Sequence, residues 1–117
     1  MSIHIPKWID CNDQMCSIGG HNWSVPRLIE MSRELEVMEI PLRHLNVGDQ
    51  YHEVSLRRMV MHINAINDAD LDCPIILDED GDLMDGRHRV MKAMLQGLET
   101  IKARRFDVNP APCSDDN

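Results

Sequence analysis

The run Asp82-Leu83-Met84-Asp85-Gly86-Arg87-His88-Arg89 places one carboxylate, one glycine and three basic or basic-capable side chains side by side. It reads as a short strand, a tight turn at Gly86 and a helix that closes at Gly97. The first turn of a helix carries unpaired backbone N–H groups and the positive end of the macrodipole, so an anion placed there finds donors already aimed at it. Gly86 allows close approach because it has no Cβ. Arg87 and Arg89 offer forked donors and fixed charge, and His88 offers a donor or a proton. Asp85 stands where an N-cap would sit; its carboxylate either caps the helix or holds a metal ion beside bound phosphates. The plainer reading makes the arginines a solvated first turn. Cations at a helix N-terminus oppose the dipole, however, and that favours an anionic ligand.

The elements that must hold this stretch are legible around it. Ser55 caps a predicted helix over 55–68, with Val54 and Met59 spaced as a hydrophobic staple and Leu56, Met59, Val60, Ile63 and Ile66 on one face. That helix reads as a crossover packed on a sheet, joining a strand over 35–40, stopped by Pro41, to the apolar run Pro74-Ile75-Ile76-Leu77. Asp78 to Asp82 alternate carboxylates around Gly81, but strands flank them and the spacing of a calcium loop does not continue, so they read as a hairpin turn. A last strand over 100–106 sets Ile101 and Ala103 against Lys102 and Arg104. Upstream, Ser24 and Pro26 open a short helix with Leu28, Ile29, Met31 and Leu35 as its stripe. The expected organisation is an arm and short helix over 1–33, a core domain over 34–108 and a flexible tail over 109–117. The arm is expected either to pack through Trp8 or Trp23 or to be partly disordered.

Composition narrows the function classes. A chain of 117 residues with 43% hydrophobic and 27% charged residues fits one globular domain. The net charge of -8 argues against generic DNA binding, which draws its affinity from Lys and Arg on phosphates. No apolar run has transmembrane length and no leader is evident, so no membrane partner is expected and the location reads as cytoplasmic. Cys11, Cys16 and His21, with His4, have zinc-like spacing, but paired CxxC elements are missing and free thiols are expected. Nine methionines against four aromatic residues give an adaptable interior with few surfaces for stacking bases.

Pro74-Ile75-Ile76-Leu77-Asp78, the turn, and Leu83 to Arg89 with the helix to Gly97 resemble the core motif of the ParB/sulfiredoxin superfamily, which includes the ParB N-terminal domain, sulfiredoxin and ADP-dependent free-serine kinases. The resemblance covers about residues 35–106 and implies an α+β, ParB/sulfiredoxin-like fold, a small mixed sheet flanked by helices, with nucleotide phosphates on Gly86, Arg87, His88 and Arg89. Arg87 occupies the position of sulfiredoxin's reactive cysteine, which speaks against sulfinic-acid repair. ParB has Gly-Glu-Arg-Arg here; His88 and Arg89 match its basic residues and Arg87 replaces its glutamate. ParB's helix-turn-helix and dimerisation domains would not fit in the remaining residues. The serine kinases share Asp-Gly-x-His-Arg and a His-Glu pair matched by His52-Glu53, which makes Glu53 a candidate general base beside Asp85 with Mg²⁺. The expectation is a nucleotide-binding module for ATP, ADP or CTP with Mg²⁺, acting through a possible protein partner. A small phosphotransferase is the alternative; a ParB-like nuclease or DNA-partition accessory fits the acidity less well.

Overall fold

Strand Ile75–Leu77 (β4) is buried at all three residues, and its alternating side chains feed two separate cores. Ile76 joins Cys16, Trp23, Val25, Leu28, Met84 and Phe106 in one core. Ile75 and Leu77 join Val90, Ala93, Ile101 and Ala103 in the other. A continuous apolar run is what a strand covered on both faces requires.

In this computed structural model, which describes residues 15–46 and 55–115, the remaining elements follow from that strand. In chain order they are β1 (Met15–Ile18), β2 (His21–Ser24), α1 (Val25–Ser32), β3 (Met38–Pro41), a 3-10 turn at Leu42–His44, α2 (Leu56–Asp68), β4, β5 (Leu83–Asp85), α3 (Arg87–Leu95), β6 (Thr100–Arg105) and β7 (Ser114–Asp115). They form a small mixed α/β domain with one four-stranded sheet, β3-β6-β4-β5, one three-stranded sheet, β1-β2-β7, and three α-helices. Among the described residues no helix is long and apolar enough to cross a membrane.

β6 runs antiparallel to β3 and parallel to β4, with Ala103 opposite both Met38 and Ile75. β3 and β4 are therefore not neighbours, and β6 lies between them. The helix between them also departs from the crossover expected from its periodicity. Ser55 Oγ accepts the Arg58 N–H at 3.2 Å and caps α2. Along the expected apolar face, however, only Ile66 is buried, while Leu56, Met59, Val60 and Ile63 remain exposed. The main contact of α2 is α3 rather than a strand. One sheet face already carries α3, and the other carries the β1–β2 hairpin and α1, so strands of three to six residues leave little apolar surface for α2.

The β1–β2 hairpin turns at Gly19-Gly20, both at positive φ (60° and 81°), as a two-residue primed turn requires. Trp23 is buried and donates Nε1–H to Pro110 O at 2.9 Å. Trp8 lies outside the described residues. In α1, Leu28 is fully buried while Ile29 and Met31 stay exposed, and Leu35, expected on the same stripe, lies beyond the helix end at Ser32 and packs against the same core. Within the flexible tail expected over 109–117, the described residues are instead tied down as far as Asp115. Asn109 Oδ1 accepts the Glu79 N–H at 2.8 Å, Cys113 N–H donates to Asn22 O at 2.7 Å, and β7 pairs with β2. The open edge of β2 supplies the donors and acceptors that order it.

Because Ile75 is fully buried and Leu56 is exposed, Ile75→Ala should cost about 2 to 5 kcal/mol in urea unfolding. Leu56→Ala should stay within about 0.5 kcal/mol. Equal losses for the two would contradict the position of α2.

Candidate functional site at the head of the third helix

Gly86 joins β5 to α3 with φ 109° and ψ 22°. A Cβ built there would lie 2.5 Å from Ile75 Cγ2 and 2.9 Å from Ile75 Cβ. The glycine is thus required twice, for a left-handed backbone and for close passage over β4. Gly86 is the N-cap, and its carbonyl accepts the Val90 N–H at 3.0 Å. Asp85, expected near the cap position, turns away from that role.

Asp85 instead pairs with Arg89 one helical turn on, with Nη2 donating to Oδ2 at 2.9 Å; the two side chains are only 17% and 18% exposed. Arg89 Nη1 also donates to Cys73 O at 3.1 Å and to Pro74 O at 2.6 Å. The guanidinium fork therefore ties the entry to β4, the end of β5 and the first turn of α3 together. Arg89, expected on phosphate, is occupied as a tether, and Asp85, expected on metal, is occupied by Arg89. Among the described residues no group of three or more His, Cys, Asp or Glu side chains is arranged to hold a metal ion. A nearby carboxylate, Asp78, is buried, and its Oδ1 takes the N–H groups of Asp80 and Asp82 at 2.9 and 2.8 Å.

His88 points toward α2, and its Nε2 lies 2.9 Å from His62 Nδ1, with ring centroids 5.2 Å apart. One ring must supply the N–H and the other the lone pair, so the two facing nitrogens cannot both be protonated while the bond stands. The pKa of His88 is lowered by burial first, then by His62 and Arg87, with Asp85 opposing and Arg89 adding to the fall. That of His62 is lowered by burial, then by Arg58 and Arg87. Arg87 is exposed on the first turn of α3, and no acidic residue shares that turn. The head of α3 thus gathers Gly86, Arg87 and His88 with His62 and Arg58 from α2. His62 was not among the expected site residues. Its signal is the Arg58-x-x-x-His62 spacing, which sets both side chains on one helix face. Glu53 and His52 lie outside the described residues.

The cysteines divide by environment. Cys16 is in the core, and burial, then Asp78 and Asp85, push its thiol up to about 11. It is held as a neutral thiol. Cys11 and His4 lie outside the described residues. Cys113 Sγ receives the Ser24 N–H and Arg27 Nη1, both at 3.4 Å, and these lower its pKa. Compared with models of known protein families, with curated proteins and with solved structures, the chain matches none.

Substituting Gly86→Ala should cost on the order of 2 to 5 kcal/mol, combining a left-handed alanine with overpacking against Ile75. A urea midpoint unchanged from the parent would refute the close approach. Both histidines have folded pKa values depressed from 6.5. Their stabilising contribution is complete above that unfolded value and is lost as pH falls through 6.5 toward the depressed values. Urea midpoints at pH 7.5 and 5.5 should differ, and the double variant His62→Gln/His88→Gln should reduce the difference.

Proposed function

We propose that the chain is a ParB/sulfiredoxin-like domain that binds a nucleotide through its phosphates at the head of α3. The observation that carries this reading is the convergence there of Arg87, His88, His62 and Arg58 on a helix N-terminus with no acidic residue in its first turn. Positive groups at the positive end of a helix dipole are unfavourable alone and favourable around a phosphate. The order β4, hairpin, β5, Gly86, α3 and β6 returning parallel to β4 supports the fold assignment.

In this reading the roles differ along the motif. Gly86 brings the backbone close, Arg87 and Arg58 supply fixed charge, and the histidine pair supplies donors and takes up a proton when an anion arrives. Arg89 acts indirectly, by holding the turn against β4 through Cys73 O, Pro74 O and Asp85. Mg²⁺, where a nucleotide uses it, is carried on the phosphates, in keeping with the way this ion keeps most of its own waters. Phosphoryl transfer would rest on Glu53 as base; Glu53→Gln separates the two readings by sparing nucleotide affinity while removing transfer.

Calorimetric titration with ADP, ATP and CTP, each with and without Mg²⁺, tests the proposal. At least one should bind, and Arg87→Ala should weaken it by about 1.5 to 3 kcal/mol without moving the unfolding midpoint. Absence of binding to all three by the folded chain would refute it.

A further inference from the structure

The two packed helices carry an apolar surface that the fold leaves uncovered. Leu56 is 83% exposed and Ile63 50% on α2, and Met94 is 58% and Leu95 76% exposed on α3. Val60 on α2 and Met91 on α3 are exposed as well. On α2, Leu56, Val60 and Ile63 follow a helical stripe, so their exposure is one contiguous face rather than scattered residues.

Charge is segregated onto the same helices. α2 and α3 carry Arg57, Arg58, Arg87, Arg89 and Lys92 against a single acidic residue, Asp68 at the last position of α2. Arg89 is occupied by Asp85 and two carbonyls, and Lys92 Nζ by Asn67 O and Ala69 O at 3.0 and 2.7 Å. Arg57 and Arg87 are exposed on α2 and α3. An apolar face on two helices with five cations and one acid, in a chain of net charge -8, is complementary to a ligand of the opposite pattern.

We infer that the α2–α3 face docks an amphipathic helix of a partner protein, apolar on one side and acidic on its flanks. A helix laid along two others buries its i, i+3, i+4, i+7 side chains between them, and flexible methionines such as Met91 and Met94 adapt to what is laid there. A second copy of the chain using the same face would set cations against cations. Nucleic acid would leave the aliphatic residues without partners, and no Phe, Tyr or Trp stands in either stretch to stack a base. The same lack of aromatic residues disfavours a membrane interface.

The test uses the full chain and a fluorescent synthetic helix with leucines at every third and fourth position and glutamates on its flanks, beside a twin carrying lysines in place of the glutamates. Fluorescence anisotropy should show binding of the acidic helix alone, weakening as salt is raised. Leu56→Asp combined with Leu95→Asp should weaken binding at least about tenfold; both positions are solvent-exposed, and circular dichroism verifies folding. Equal binding of the twins, or binding of neither, would overturn the assignment. So would a dimer in sedimentation that the same two substitutions dissociate, or adsorption to phosphatidylserine vesicles without peptide binding.

Discussion

The close passage of Gly86 over Ile75 is the constraint from which the rest of the site is built. With a Cβ position 2.5 Å from Ile75 Cγ2, only glycine brings the end of β5 this near to β4. That proximity sets the first turn of α3 beside the carbonyls that precede β4, so the Arg89 fork spans Cys73, Pro74 and Asp85 at once. The side chain that looks most suited to a phosphate is thereby used to hold the turn that presents the others. A largely buried arginine with three acceptors is a tether because releasing it would leave a carboxylate and two carbonyls without their partner.

Once the turn is held, burial first and then the neighbouring basic groups lower both histidines, Arg87 acting on the two rings and Arg58 on His62, with Asp85 opposing at His88, so both rings favour the neutral form. An anion in the same place opposes the effect of the basic groups. It offsets the arginines, favours imidazolium over imidazole and aligns with the dipole. In the proposed reading an anion bound there also acts on α2, because one of the two rings belongs to it.

The same helix pair joins a polar end to an apolar flank. α3 is anchored to the sheet through Val90 and Ala93, whereas α2 has only Ile66 fully inside. α2 is thus held mainly through α3, by the histidine contact near its first half and by Lys92 on the carbonyls of Asn67 and Ala69 at its end. A helix so attached keeps most of its hydrophobic stripe exposed.

Local pattern alone was sufficient for the α2 boundaries, because the Ser55 cap and the 3.6-residue period act within the segment. It was likewise sufficient for the buried run of β4, for the inward Ile101 and Ala103 of β6, and for the turn at Gly86 that opens α3. Which surface α2 would cover was not local, since periodicity names a face without naming its partner. Nor was the ordering of 109–115, which depends on the edge that β2 presents far away in the chain. At the site, the sequence by itself determined the glycine and the crowd of basic side chains at one helix end. Only the tertiary structure decided that Arg89 binds carbonyls 15 and 16 residues earlier and that His88 meets His62 across 26 residues. Those contacts exist because close packing of Gly86 on Ile75 brings remote backbone and side chains within hydrogen-bonding distance, and no spacing within one element encodes that.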